Sequence, residues 1–297
     1  MAGEIELVYS GRVLNNDAEY SNISTDKILE EYSKYDPDYL FFVLKTYAYN
    51  CDFQNFKFFS SIFGIDNFSA NYDILLDLVI ANSTKSKNNS EFIEFVKYLL
   101  DNGANVSGND HIFIKLAAHK NSLDLFKLLH EYGADIHVDD EYPLRASCFY
   151  GNEDITKYLL ENNADVHAKN DYCLRCAVQD SEKELVELLL EYGANVGVDN
   201  NISFQYAVKN ADIESIKNLI KYGLDVSSLS ADNLMCVATT SSKKIIDMLH
   251  DHGVNFETIN NAEINISENY MDVLSALISY GVNPAHLASF YLSEMLY

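Results

Sequence analysis

The chain has 297 residues, 48% of them apolar, and carries 45 acidic against 21 basic side chains for a net charge of −24. That apolar share is ample for a core and too rich for disorder. The charge repels phosphate backbones and anionic bilayers, which are bound through clustered Lys and Arg, so nucleic acid and membrane are excluded as partners.

Read from the N-terminus, Glu4 and Glu6 interrupt the opening MAGEIELVYSGRVL before an apolar stretch of signal-peptide length can form. Apolar runs such as Tyr39–Leu44 are far short of the roughly 20 residues of a membrane span. Residues 1–36 match no later segment and are expected to form a divergent cap. Residues 24–48, with Lys27-Ile28-Leu29 and Leu40-Phe41-Phe42-Val43-Leu44, are apolar enough to recruit a second protein. Five irregularly spaced cysteines argue against a disulfide framework and for a reducing, intracellular and cytoplasmic setting. With three prolines and twelve glycines, no linker divides the chain.

A short phrase then recurs: Gly103-Ala104-Asn105-Val106, Gly133-Ala134-Asp135-Ile136, Asn163-Ala164-Asp165-Val166, Gly193-Ala194-Asn195-Val196, Gly223-Leu224-Asp225-Val226 and Gly253-Val254-Asn255-Phe256. Each begins 30 residues after the one before. Gly281-Val282-Asn283 follows after 28 residues, and Gly64-Ile65-Asp66 stands 39 before Gly103. Apolar pairs or triplets such as Leu188-Leu189-Leu190 precede the turns and, with Val96, Leu125, Ile155, Leu185, Ile216 and Ile245, draw one stripe at helical spacing. Gly, or Asn163, then supplies the left-handed residue that closes such a helix. Eleven residues after each Gly comes an anchor, Leu75, Ile114, Leu144, Leu174, Phe204, Leu234 or Ile264. A small or apolar residue lies three positions beyond most of these anchors, which marks a second, closely packed helix. Neither helix can bury its stripe alone, so neighbours must stack.

This pattern resembles the ankyrin repeat. Tyr142-Pro143-Leu144-Arg145-Ala146-Ser147 and Tyr172-Cys173-Leu174-Arg175-Cys176-Ala177 stand where that family has T-P-L-H-x-A, and the turn phrases stand where it has G-A-D-V. The 30-residue units with Tyr-x-Leu-Arg openings are similar to the ankyrin arrays of giant DNA viruses of amoebae (Mimivirus-like). The resemblance implies an all-α solenoid of stacked antiparallel helix pairs with short β-finger connectors. About eight repeats would fill residues 37–297, ending in a capping helix over Ala285–Tyr297. Family repeats run about 33 residues. Here anchor to next turn keeps 19 residues, whereas turn to anchor is only 11, so the shortening falls in the fingers, which should be blunt. Nine extra residues fall within the polar stretch Asn82–Ser90, where Ser90 can cap the next helix, and two are missing between Ile264 and Gly281.

The chemistry-bearing motifs are sparse. Cys173 and Cys176 have C-x-x-C spacing, yet no second ligand pair accompanies them, and Cys176 shares a packing register with Ala146 and Cys236. His250-Asp251-His252 falls at the polar end of an outer helix. His137 and His167 share one finger position. No phosphate loop, zinc-protease helix or nucleophile elbow occurs. No metal, no cofactor and no enzymatic activity are expected. The resemblance implies instead a monomeric protein-protein interaction module, acting in the host cytoplasm on host or viral proteins if the source is viral. Its groove of fingers and inner helices would extend on the order of 80 Å. Candidate contacts are Asp139, Asp140, Tyr142, Arg145, Lys169, Asp171, Tyr172, Arg175, Asn201 and Gln205, with the Tyr and Arg residues dominant. The charge of −24 implies a basic patch on the partner. An alternative is an adaptor that recruits a ubiquitin-ligase component through its N-terminal segment, although the L-P-x-E opening of an F-box is absent.

Overall fold

Leu pairs running into Gly fix the helix ends. At the first such turn the Ala104 N–H donates to Leu99 O at 3.1 Å and the Gly103 N–H to Leu100 O at 3.0 Å. That pairing satisfies two carbonyls the helix cannot use and requires a left-handed residue between them, here Gly103 at φ +97°. Asn163 does the same at φ +68°. The Asx residue two places further on then folds the chain back on itself. Asn105 accepts from the Ser107 N–H at 3.0 Å, Asp165 from His167 at 2.9 Å, Asn195 from Gly197 at 2.9 Å and Asp225 from Ser227 at 3.0 Å.

In the computed structural model the described residues are 8–9, 12–13, 37–63, 72–85, 88–240, 242–261 and 271–284. The turn at Gly64, the anchor Ile264 and the expected C-terminal helix lie outside them. So does the expected cap over residues 1–36, apart from the antiparallel pair β1 (Val8–Tyr9) and β2 (Arg12–Val13).

The chain divides into two units, residues 1–135 and 136–297. The first holds α1 (Pro37–Tyr49), α2 (Phe53–Phe63), α3 (Tyr72–Ala81), α4 (Asn89–Asp101), α5 (Gly108–His119) and α6 (Leu123–Glu131). Its core is aromatic: the Phe95 ring lies 4.9 Å from Phe53 and 4.7 Å from Phe56. The insertion between α3 and α4 includes a 3-10 turn, Ser83–Lys85. Asn88, rather than Ser90, caps α4, accepting the Glu91 N–H at 2.6 Å while the Ser90 hydroxyl donates to the same oxygen. Asn88 lies at the residue just before the first helical turn, where a side-chain acceptor meets a free N–H.

The second unit alternates inner and outer helices from α7 to α14: α7 (Val138–Phe149), α8 (Glu153–Glu161), α9 (Ala168–Gln179), α10 (Lys183–Glu191), α11 (Val198–Lys209), α12 (Ile213–Lys221), α13 (Ala231–Thr240) and α14 (Lys243–Asp251), with a further outer helix α15 (Met271–Ser279). The outer-helix residues Leu159, Leu189, Leu219 and Leu249, one per repeat, are fully buried, as are the inner anchors Leu144, Leu174 and Phe204. Each such side chain contributes about 1.5–3 kcal/mol relative to exposure. Inner helices α7, α9, α11 and α13 pack each on the next, and so do outer helices α8, α10 and α12, so that these repeats cover one another.

Candidate functional site

The expected β-fingers are absent from the described residues of the second unit's connectors. In their place Asp139, Asp140 and Glu141 all lie in the left-handed region at φ 52–59°, and Lys169, Asn170, Asp171 and Asp199, Asn200, Asn201 repeat the arrangement. One left-handed turn therefore reverses the chain in three residues, which accounts for the shortened spacing between turn and anchor. For an L-residue this conformation costs about 1–2 kcal/mol, and Asp and Asn tolerate it best. The inner helices proper begin at Tyr142, Tyr172 and Ile202.

Those inner helices hold the turns by their side chains. Arg145 donates through Nε to Asp140 O and through Nη2 to Asp139 O, both at 2.9 Å. Arg175 donates to Lys169 O at 2.9 Å, and Gln205 to Asn200 O at 3.1 Å. Each guanidinium also lies over the Tyr three residues earlier, 5.8 Å from the Tyr142 ring and 5.9 Å from Tyr172. The candidates Tyr142, Arg145, Tyr172 and Arg175 are thus two corresponding plates on adjacent helices α7 and α9, each half-buried, although Arg175 Nε is left without the acceptor that Arg145 Nε finds.

The remaining candidates divide. Asp139, Asp140 and Lys169 are exposed, and Asn201 and Gln205 are half-buried. Lys169 binds the Asp140 carboxylate one repeat away and holds it below its ordinary range. Arg175 Nη1 lies 3.5 Å from Asp199. Asp171 differs from the others, being 3% exposed and accepting the Asn195 N–H at 2.7 Å with His167 Nδ1 at 3.0 Å. Its carboxylate ties one repeat to the next from a buried position. Glu141 repeats the pattern with Asp165 and His137, and Asp73 accepts the Asn105 N–H in the first unit.

The cysteines pack. Cys148 and Cys173 are buried, and the neighbouring Cys148 thiol and burial push the Cys173 thiol well above the usual range, away from thiolate chemistry. A hydrogen bond to Cys176 and burial push the Tyr172 phenol up to about 12. His250 stacks on Tyr280 at 3.8 Å, and His252 Nδ1 lies 2.8 Å from Met248 O, closing the helix end. Among the described residues no group of three or more His, Cys, Asp or Glu is placed to hold a metal, and no helix is long and apolar enough to cross a membrane.

Two depressions are lined by described residues. In the first unit one of about 580 Å³ opens at the insertion, floored by Phe92 and Leu125 and rimmed by polar groups, with Lys120 bound to Ser83 at 2.9 Å. In the second, a cavity of about 220 Å³ lies between Tyr142, Arg145, Ala146, Phe149, Tyr150 and Tyr172. Phe149 and Tyr150 are 53% and 47% exposed and are residues the repeat pattern does not single out.

A family model described as ankyrin repeats, three copies, matches residues 114–200. Among solved structures, the human ASB11 ankyrin repeat domain is 20% identical with a TM-score of 0.52, covering 70% of this chain and 96% of that one. The ankyrin repeat domain of Bcl-3, a member of the IkappaB family, is 20% identical with a TM-score of 0.53, covering 70% and 97%. No curated protein matches the chain. The fold is an all-α solenoid of ankyrin repeats, a scaffold that generally serves protein-protein interaction.

Proposed function

We propose that the inner-helix and left-handed-turn face of the second unit binds another protein without catalysing a reaction. The observation that carries this reading is the pair of Tyr-Arg plates, Tyr142 with Arg145 and Tyr172 with Arg175, half-buried on adjacent repeats. The chain has only three arginines, and two occupy this one register. Tyr and Arg are the residues that most often dominate interface energy. Asp139, Asp140, Lys169, Asn201 and Gln205 surround them and complete the surface, whereas Asp171 supports it from beneath.

The whole chain's charge steers a partner with a basic patch, and association slows as salt rises. The protein acts as a monomer inside the cell. The similarity to arrays of giant DNA viruses makes host or viral proteins the candidates. Affinity capture with the native chain and with a Tyr142→Ala/Tyr172→Ala variant, read by mass spectrometry, tests the face. Partners recovered by the first and lost by the second support it. Equal recovery by a folded double variant refutes it.

A further inference from the structure

The cavity on α7 and α9 has features that the protein-binding reading does not require. It is lined by the small side chain of Ala146, by Arg145 and by four aromatic residues, Tyr142, Phe149, Tyr150 and Tyr172. The Phe149 and Tyr150 rings stand 5.0 Å apart at 88°, forming an exposed edge-to-face lip. At the same positions the next two repeats carry Gln179-Asp180 and Lys209-Asn210, so this lip occurs once within repeats of otherwise common design.

Size and charge then restrict the guest. A volume of about 220 Å³ is below the roughly 300–1,000 Å³ of small-molecule sites and suits one side chain. Arg145 lines the cavity and repels a cation, which separates it from an all-aromatic cage for ammonium groups. Yet Arg145 already donates to the carbonyls of Asp139 and Asp140, and Lys169 is bound by Asp140. The exposed Asp140 carboxylate, close enough to Arg145 to feel its charge, opposes an anion. An uncharged ring loses nothing to these charges and gains edge-to-face contact beyond the area it buries.

The geometry points to this cavity as the seat of one aromatic side chain of the partner protein. This rests on the reading of the inner face as a protein-binding surface and adds the residue class that anchors there.

The probes are N-acetyl-phenylalaninamide, N-acetyl-lysinamide and the amide of N-acetyl-glutamate, titrated into the isotope-labelled full chain and followed by amide NMR shifts. The aromatic probe is expected to saturate at millimolar concentration, shifting residues 142–150 and 172–175, with both charged probes weaker by about tenfold. A Phe149→Ser/Tyr150→Ser variant, altered only at exposed positions, should retain the native spectrum elsewhere and lose the saturable shifts. No saturation by the aromatic probe, equal binding of a charged probe, or shifts that persist in the variant would each overturn the proposal. If capture depends on Tyr142 and Tyr172 while no probe saturates, the face stands and the aromatic guest falls. If the probe saturates while capture ignores those tyrosines, the cavity stands and the wider face falls.

Discussion

Asp171 accepts the backbone N–H of Asn195, 24 residues further on, at 2.7 Å, and does so from a position only 3% exposed. The Asn195 side chain in turn accepts from Gly197, so one buried carboxylate organises the turn of the following repeat. Asp171→Ala leaves that N–H without its acceptor and should cost about 1–3 kcal/mol. Asp171→Asn keeps an acceptor oxygen and should cost less. Urea unfolding of the two variants separates them, and equal losses would mean that the hydrogen bond to Asn195 is not what the carboxylate supplies.

Leu189 is fully buried between repeats. Leu189→Ala should destabilise by about 2–5 kcal/mol through lost transfer energy and the cavity left behind. Glu187, two positions away, meets Lys221 of the next outer helix at 3.3 Å, with both side chains about half exposed. Glu187→Ala should change stability by no more than about 1 kcal/mol, the range of solvated ion pairs. Chemical denaturation of both variants checks the contrast.

Asn170 stands at φ 56°, ψ 60° in the middle of a left-handed turn. Asn170→Gly should be neutral or stabilising by up to about 1 kcal/mol, because glycine enters that region without a Cβ penalty. Asn170→Val should destabilise by about 1–2 kcal/mol. A valine variant as stable as the native chain would show that the turn does not hold this backbone in solution.

Burial, with Asp52 adding to it, pushes the Tyr47 phenol from 10.0 up to about 12. The fold therefore favours the neutral form, so this contribution is complete below pH 10 and is lost between pH 10 and about 12. Tyr132 is raised to about 12 as well, by its hydrogen bond to Asp101, but it is exposed and its effect is screened. Tyr47→Phe should flatten the alkaline loss of stability, and Tyr132→Phe should change it little. Denaturation midpoints on either side of pH 10, together with the phenolate absorbance titration, measure both.

Much of this was legible in the sequence because it is periodic. Apolar pairs before a Gly give the helix and its end, and the 11-residue spacing to the anchor locates the shortened connector. Spacing cannot say how a short connector turns. The sign was the run of Asp and Asn at 139–140, 170–171 and 199–201, types that tolerate left-handed backbone, though in a chain this acidic they read equally as solvated surface. Asp171 was open to the same ambiguity, since a carboxylate acquires a buried role only through the N–H that meets it. Tyr142 and Tyr172 stood out because their register repeats. Phe149 and Tyr150 did not, because their neighbours at that register are polar.

The left-handed turns bear on how the net charge is to be understood. Asp110, Asp139, Asp140, Glu141, Asp171 and Asp199, six of the chain's 45 acidic residues, occupy backbone that most side chains avoid. At the solvent-facing ones Asp and Asn satisfy the backbone alike, so exchange between them alters the protein's charge while leaving its shape alone. Mutational drift there can raise or lower the total without any partner having selected it. Charge on the inner helices, such as that of Arg145 and Arg175, is not free to drift in this way, because there the contacts of the side chain rather than the backbone dictate the residue.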